Sequence, residues 1–159
     1  MSHMSFNSDR VEWRRVTDPL CKTYKVDFEY SLLGFDLDAG RLDMLLRYAA
    51  GKGHCRRHRH VASTMTLVLE GEQHLQELRV DGSTKIVSRK KGDYALSPGD
   101  ARPHLEHGGD SGGTVLLSMC ANDGIIFEYF GEEAEASWTV SIAEFVSSWE
   151  RGEIYGTAK

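Results

Sequence analysis

The sequence predicts an all-β protein, a single-domain jelly-roll β-barrel with a short C-terminal helix. Three observations support this prediction. A chain of 159 residues suits one domain with a sizeable core. Its 16 glycines lie among short runs of β-branched and aromatic residues. Roughly nine such runs, separated by turn residues, are typical of a jelly roll.

The chain divides into three parts. Residues 1–40 are predicted to form an N-terminal arm with a strand near 24–30. Residues 41–130 form the barrel core, which begins with an alternating apolar strand at 41–50. Further strands are predicted at residues 84–89, 94–97, 114–120 and 125–130.

A hairpin is predicted in the first half of the core. Its strands are residues 62–69 and 73–80, and Glu70-Gly71 forms the turn between them, because glycine adopts the backbone angles that tight turns need. Asp-Gly at 81–82 marks the next turn, since this dipeptide favours two-residue hairpin loops.

The third part, residues 131–159, is predicted to contain the helix. Ser141 can cap its first turn by accepting a hydrogen bond from a backbone N–H group. An apolar stripe with helical spacing follows at Ile142, Phe145, Val146 and Trp149. The stripe indicates packing against the core or a dimer partner.

Composition excludes several classes of protein. The net charge of −5 and the lack of a sustained basic face argue against nucleic-acid binding. No apolar run is long enough to span a membrane, and no signal-peptide core is present at the N-terminus. Three widely spaced cysteines, without a C-x-x-C pair, argue against a disulfide framework. We therefore expect a cytoplasmic protein.

The sequence His58-Arg59-His60 is the first candidate for chemistry. Two histidines one residue apart on a strand point to the same face, and two imidazoles on one inward face can bind a metal. The same parity places Thr64 on that face. The neighbouring arginines of residues 56–59 either line the rim or help to hold an anionic substrate.

A second motif follows about thirty residues later. Gly92-Asp93 begins a short strand, Pro98-Gly99 ends it, and His104 comes after the turn. His104 is the predicted third ligand. His107, three residues further on, is the alternative third ligand.

Together the two motifs resemble the signature motifs of the cupin superfamily over residues 41–130. The resemblance implies that His58, His60 and His104 meet inside the barrel and hold one metal ion. The usual cupin glutamate, six residues after the first histidine, is replaced here by Thr64. The implied site is therefore a set of three neutral imidazoles, similar to those of the acetylacetone-cleaving and dihydroxyacetophenone dioxygenases and, more distantly, to the ChrR-type cupin domain.

This resemblance implies a mononuclear non-haem metal dioxygenase, with Fe(II) as the expected metal and Zn, Mn or Ni as alternatives. Its partners would be dioxygen and a small anionic or chelating carbonyl substrate, such as a diketone or a hydroxyketone. A metal with neutral ligands favours such a substrate because it keeps its full positive charge. The residue pattern itself adds Thr64, His74, Glu77 and Tyr94 as candidates for the surroundings of the ligands, with a surface position as the alternative for His74.

Three other functions remain open from the sequence. Three histidines are also the ligand set of hydrolytic or hydrating zinc enzymes. Thiol dioxygenases use three histidines as well, although their family pattern around the first motif matches this chain poorly. A non-catalytic metal or ligand sensor can use the same fold, because a fold does not determine a function. A homodimer or larger homo-oligomer is expected in each case.

Overall fold

The computed structural model describes residues 6–51, 53–132 and 136–155. A short 3-10 turn (Ser8–Arg10) precedes the sheet, and one α-helix, α1 (Ile142–Glu150), follows it. The strands within the described residues are β1 (Arg14–Asp18), β2 (Val26–Asp36), β3 (Arg41–Tyr48), β4 (His58–His60), β5 (Ser63–Leu78), β6 (Thr84–Lys90), β7 (Tyr94–Ser97), β8 (His104–Cys120), β9 (Ile125–Phe130) and β10 (Ser137–Ser141). The predicted all-β class with a C-terminal helix is confirmed.

Strand β8 organises the sheet. The main strand order is β1-β2-β3-β8-β4-β9-β10, and β5 pairs with β6, β7 and β8. The second half of β8 lies between β3 and β5, whereas its first half lies between β4 and β5. Strands β1, β2 and β10 lie outside residues 41–130 in the sequence and extend the same sheet. The division of the chain into three parts stays a prediction.

The core fills the inner face of the curled sheet, and α1 closes one side of it. Ser141 caps α1, as predicted, in a reciprocal capping box with Glu144. Phe145 of α1 is fully buried, and its ring packs edge-on against Tyr30 at 5.6 Å between centroids. No helix in the three described stretches is long and apolar enough to cross a membrane.

The predicted hairpin at Glu70-Gly71 is wrong. Residues 63–78 form one continuous strand, β5, which stays paired with β8 on both sides of Gly71. Gly71 has a positive φ of 59°, and it lies between two successive shifts in the β5–β8 register. The glycine therefore bends a strand instead of ending it. The predicted turn at residues 81–82 is present between β5 and β6.

We predict that Gly113→Ala destabilises the fold. Gly113 pairs with Gly71, and an added Cβ would lie 2.0 Å from the Glu72 carbonyl oxygen. Separating these backbones should cost about 1–3 kcal/mol, the range of overpacking substitutions. Gly34→Ala is the control, because a Cβ there meets no atom within 4 Å. Equal melting temperatures for the two variants in thermal unfolding would contradict this account of the bend.

Candidate metal centre

Four buried side chains converge on the inner face of the barrel. They are His58, His60, His104 and Glu106, and their potential ligand atoms all lie within 4.8 Å of one another. His58 on β4 is directly opposite His104 on β8, so both side chains point to the same face. The two-residue period of a strand adds His60 on β4 and Glu106 on β8 to that face.

Backbone carbonyl groups fix two of the imidazole rings. His58 Nδ1 donates to the Arg56 carbonyl oxygen at 2.7 Å, and His104 Nδ1 donates to that of Arg102 at 2.9 Å. A carbonyl oxygen only accepts, so Nδ1 carries a proton in both rings, and in the neutral form of such a ring Nε2 has the lone pair that a metal ion needs. The buried Cys55 thiol lies on the Nδ1 side of His58, at 3.5 Å, and burial raises its pKa.

A side-chain hydroxyl fixes the third ring. Thr64 Oγ1 donates to the Ala62 carbonyl oxygen at 3.0 Å, so it accepts from His60 Nδ1, which lies 3.0 Å away. His60 therefore also keeps the lone pair of Nε2. Thr64, which stands where cupins usually have a glutamate, orients a ligand candidate in this chain.

The arrangement of these atoms fits a metal cation. His58 Nε2 and His60 Nε2 lie 3.2 Å apart. Burial and the neighbouring histidine His104 lower the pKa of His58 to about 3, and burial, followed by His58, holds that of His60 well below its usual value. Two lone pairs therefore face each other without a proton between them. A cation bound by both nitrogens removes that repulsion.

Two further buried atoms in the cluster support the same assignment. His104 Nε2 and Glu106 Oε2 have no hydrogen-bond partner within the described part of the chain, and they lie 3.9 Å apart. Buried polar atoms are nearly always partnered, so an unpaired acceptor at this position calls for a ligand. Imidazole nitrogen and carboxylate oxygen are common ligands of Zn, Fe and Mn.

Glu106 is the residue that the sequence analysis missed. It makes the site a set of three imidazoles and one carboxylate, which corrects the expectation of neutral ligands alone. Its Oε1 atom accepts from Gln73 Nε2 at 2.6 Å, and Gln73 Oε1 accepts from Arg89 Nη1 at 2.8 Å. Glu106 lies two residues after His104 on β8, so the two side chains lie on the same face of the strand. This relation could have been found from the sequence if the strand had been predicted to begin at His104.

A cavity of about 100 Å³ opens beside the cluster. Strands β5, β6, β7 and β8 supply most of its wall. The residues that line it are His60, Thr64, Thr66, Gln73, Leu75, Glu77, Arg89, Ala95, Leu96, Ser97, Ala101, His104 and Glu106. The cavity gives a small molecule access to His60, His104 and Glu106, which line it.

The other predicted site residues fall into two groups. Glu77 lines the cavity, on β5 directly opposite His104. His107 and His74 pair with each other on the outer face of the sheet, where their rings stack at 5.2 Å. Tyr94 is 63% exposed on β7 and is absent from the cavity wall. The structure thus brings Glu77 and Thr64 to the cluster, and it places His74, His107 and Tyr94 away from it.

Several solved structures share this fold over almost the whole chain. One, from Methylibium petroleiphilum PM1 and provisionally described as an acetylacetone dioxygenase, matches with a TM-score of 0.63 and 14% identity over 94% of this chain and 95% of that chain. An acetylacetone dioxygenase from Acinetobacter johnsonii matches with a TM-score of 0.64 and 12% identity over 95% of this chain and 92% of that chain. The chain has the cupin fold.

A variant of Bacillus subtilis oxalate decarboxylase shares the cupin barrel with a TM-score of 0.55 and 14% identity, over 97% of this chain and 38% of that chain. No protein-family model and no curated protein sequence matches the chain. The structural similarity confirms the predicted cupin fold. It does not assign the active sites of these enzymes to this chain.

We predict that Thr64→Val weakens metal binding about 10- to 100-fold, the usual effect of removing a hydrogen-bond partner of a metal-ligating histidine. The variant keeps the side-chain shape but leaves His60 Nδ1 without its acceptor. Thr66→Val is the control, because Thr66 lines the same cavity and none of the described hydrogen bonds joins it to the cluster. Competition with a chelator of known affinity measures both constants. Equal affinities for the two variants would contradict the role of Thr64.

Proposed function

We propose that this cupin is a mononuclear metal-dependent dioxygenase that cleaves a small diketone, hydroxyketone or similar chelating carbonyl compound. The observation that carries the proposal is the convergence of three imidazole Nε2 atoms and one carboxylate beside a small cavity. The fold shared with an acetylacetone dioxygenase, and with a second protein provisionally described as one, over more than nine-tenths of each chain supports it by analogy.

The proposed metal is Fe(II), with Zn, Mn and Ni as the alternatives that suit the same nitrogen and oxygen donors. When bound, Fe(II) would supply the redox chemistry with dioxygen that no protein side chain provides. Glu106 lowers the net charge of such a centre to plus one, which still attracts an enolate or another anionic chelating oxygen pair.

The residues of the chain would orient the substrate and manage its proton. His58, His60 and Glu106 are buried, so few water molecules compete at the cluster. The Glu77 carboxylate lines the cavity and has no ion-pair or hydrogen-bond partner among the described residues, so it is the candidate acceptor for the acidic C–H proton of a diketone. In the overall reaction one carbon–carbon bond breaks and each fragment receives one oxygen atom of O2. A 1,3-diketone thereby gives a carboxylic acid and a 1,2-dicarbonyl compound without an external reductant.

The proposed assembly is a homodimer or a larger homo-oligomer. The proposed compartment is the cytoplasm.

We predict that the Fe(II)-loaded protein consumes oxygen in the presence of acetylacetone or a related diketone. Loading with Zn(II), which has no redox chemistry, should abolish this uptake. His104→Ala should also abolish it, because the variant removes a central member of the cluster. His107→Ala is the matched control, since this histidine lies on the same strand and the opposite face. An oxygen electrode measures the uptake of all four samples at equal protein concentration, and metal analysis gives the metal content of each.

Two other outcomes would replace the proposal. Hydrolysis or hydration activity with Zn(II), and no oxygen uptake with verified Fe(II), would indicate a zinc enzyme. A change in stability or partner binding with metal, without turnover of any carbonyl compound, would indicate a sensor.

A further inference from the structure

Arg89 brings a positive charge to the cavity beside the cluster. This residue lies on β6 and lines the cavity together with Glu77 and Glu106. Its Nη1 atom donates to Gln73, and no carboxylate in the described stretches forms an ion pair with it. Arginine carries five N–H donors, so most of its donors are free for a ligand.

Gln73 keeps this charge separate from Glu106. A guanidinium group only donates and a carboxylate only accepts, so the amide must turn its oxygen to Arg89 and its nitrogen to Glu106. Gln73 is 2% exposed, and both of these contacts fix its orientation. Arg89 is therefore held at the cavity wall without being neutralised by the carboxylate of the cluster.

The arginines of residues 56–59 are engaged elsewhere. Arg59 forms ion pairs with Asp100 at 2.9 Å and with Glu128 at 2.6 Å. Arg56 lies 3.5 Å from a carboxylate oxygen of Asp18. None of the three arginines in this segment lines the described cavity wall. The anion-binding role that the sequence suggested for this segment therefore falls to Arg89.

The charge and size of the cavity define a class of ligand. A divalent cation with Arg89, Glu77 and Glu106 leaves one net positive charge, which favours an anion. A volume of about 100 Å³ is well below the roughly 300–1,000 Å³ of a drug-sized site. The ligand is therefore a small molecule.

We propose that Arg89 binds the carboxylate of a small oxo acid whose carbonyl group faces His60, His104 and Glu106. The planar guanidinium fork matches a carboxylate and binds it with charge-assisted hydrogen bonds. This inference rests on the proposed function, because it assigns the substrate class of the same site. We therefore expect the site to bind 2-oxo and 3-oxo carboxylates with higher affinity than uncharged diketones of equal size.

Pairs of compounds with the same shape test the assignment. Acetoacetate and acetylacetone differ by one carboxylate oxygen in place of a methyl group, and pyruvate and butane-2,3-dione differ in the same way. Calorimetric titration of the Zn(II)-loaded protein measures their affinities without turnover. The quantity of interest is the ratio of the two affinities within each pair.

Arg89→Gln should weaken binding of both carboxylates by roughly 10- to 100-fold, as expected for the loss of a hydrogen bond between charged groups. The two diketones should change less than about threefold, since they make no charged contact there. Lys90→Gln is the control, because it removes one positive charge from an exposed neighbour on the same strand. Arg89→Lys should retain part of the preference for carboxylates because it retains the charge. Zinc content and a melting curve identify any variant that does not fold.

The ratio of affinities decides the outcome. If Arg89→Gln weakens the carboxylate and the diketone of each pair equally, or weakens neither, the inference is wrong. An Arg89→Lys variant as unselective as Arg89→Gln would also contradict it. The result is independent of catalysis: a selective site without oxygen uptake would overturn the proposed function alone, and oxygen uptake without selectivity would overturn only the role of Arg89.

Discussion

The register between β4 and β8 is the constraint on which the site depends. His58 lies directly opposite His104, and this single pairing brings both pairs of alternating ligand candidates to one face. A slip of one residue would turn Glu106 outward and bring His107 inward. The backbone holds the register from the preceding segment, where Cys55 N–H donates to the Glu106 carbonyl oxygen at 2.9 Å. Backbone hydrogen bonds of the curled sheet thus position the side chains of the candidate ligands.

Burying the unpaired polar atoms of this site destabilises the folded protein, and a bound cation would offset that free-energy cost. Unpaired buried acceptors such as His104 Nε2 and Glu106 Oε2 destabilise a fold by about 1–3 kcal/mol each. They are retained here inside a rigid arrangement of hydrogen bonds that orient every ring. Metal binding to such a preorganised site stabilises the folded state, because the unfolded chain offers no comparable set of ligands. A metal ion bound by these four residues would therefore also stabilise the fold.

Strand periodicity predicted part of this structure from the sequence. It placed His58, His60 and Thr64 on one face, and the helix stripe with its Ser141 cap was found from spacing alone. Glu106 was missed because a strand was predicted only at 114–120, whereas β8 begins at His104, so the parity that links these two residues was not applied. Gly71 was misread because a positive φ suits both a turn and a bulge, and only the partner strand decides between them. Arg89 depends on the register of β6 against β5, which no local pattern records.

Diffraction from crystals of the metal-loaded protein at the absorption edge of the metal tests the central claim most directly. The account predicts one anomalous peak within bonding distance, about 2.0–2.2 Å, of the Nε2 atoms of His58, His60 and His104 and of a carboxylate oxygen of Glu106. A peak beside His74 and His107 on the outer face, or a peak that leaves Glu106 uncoordinated, would contradict it.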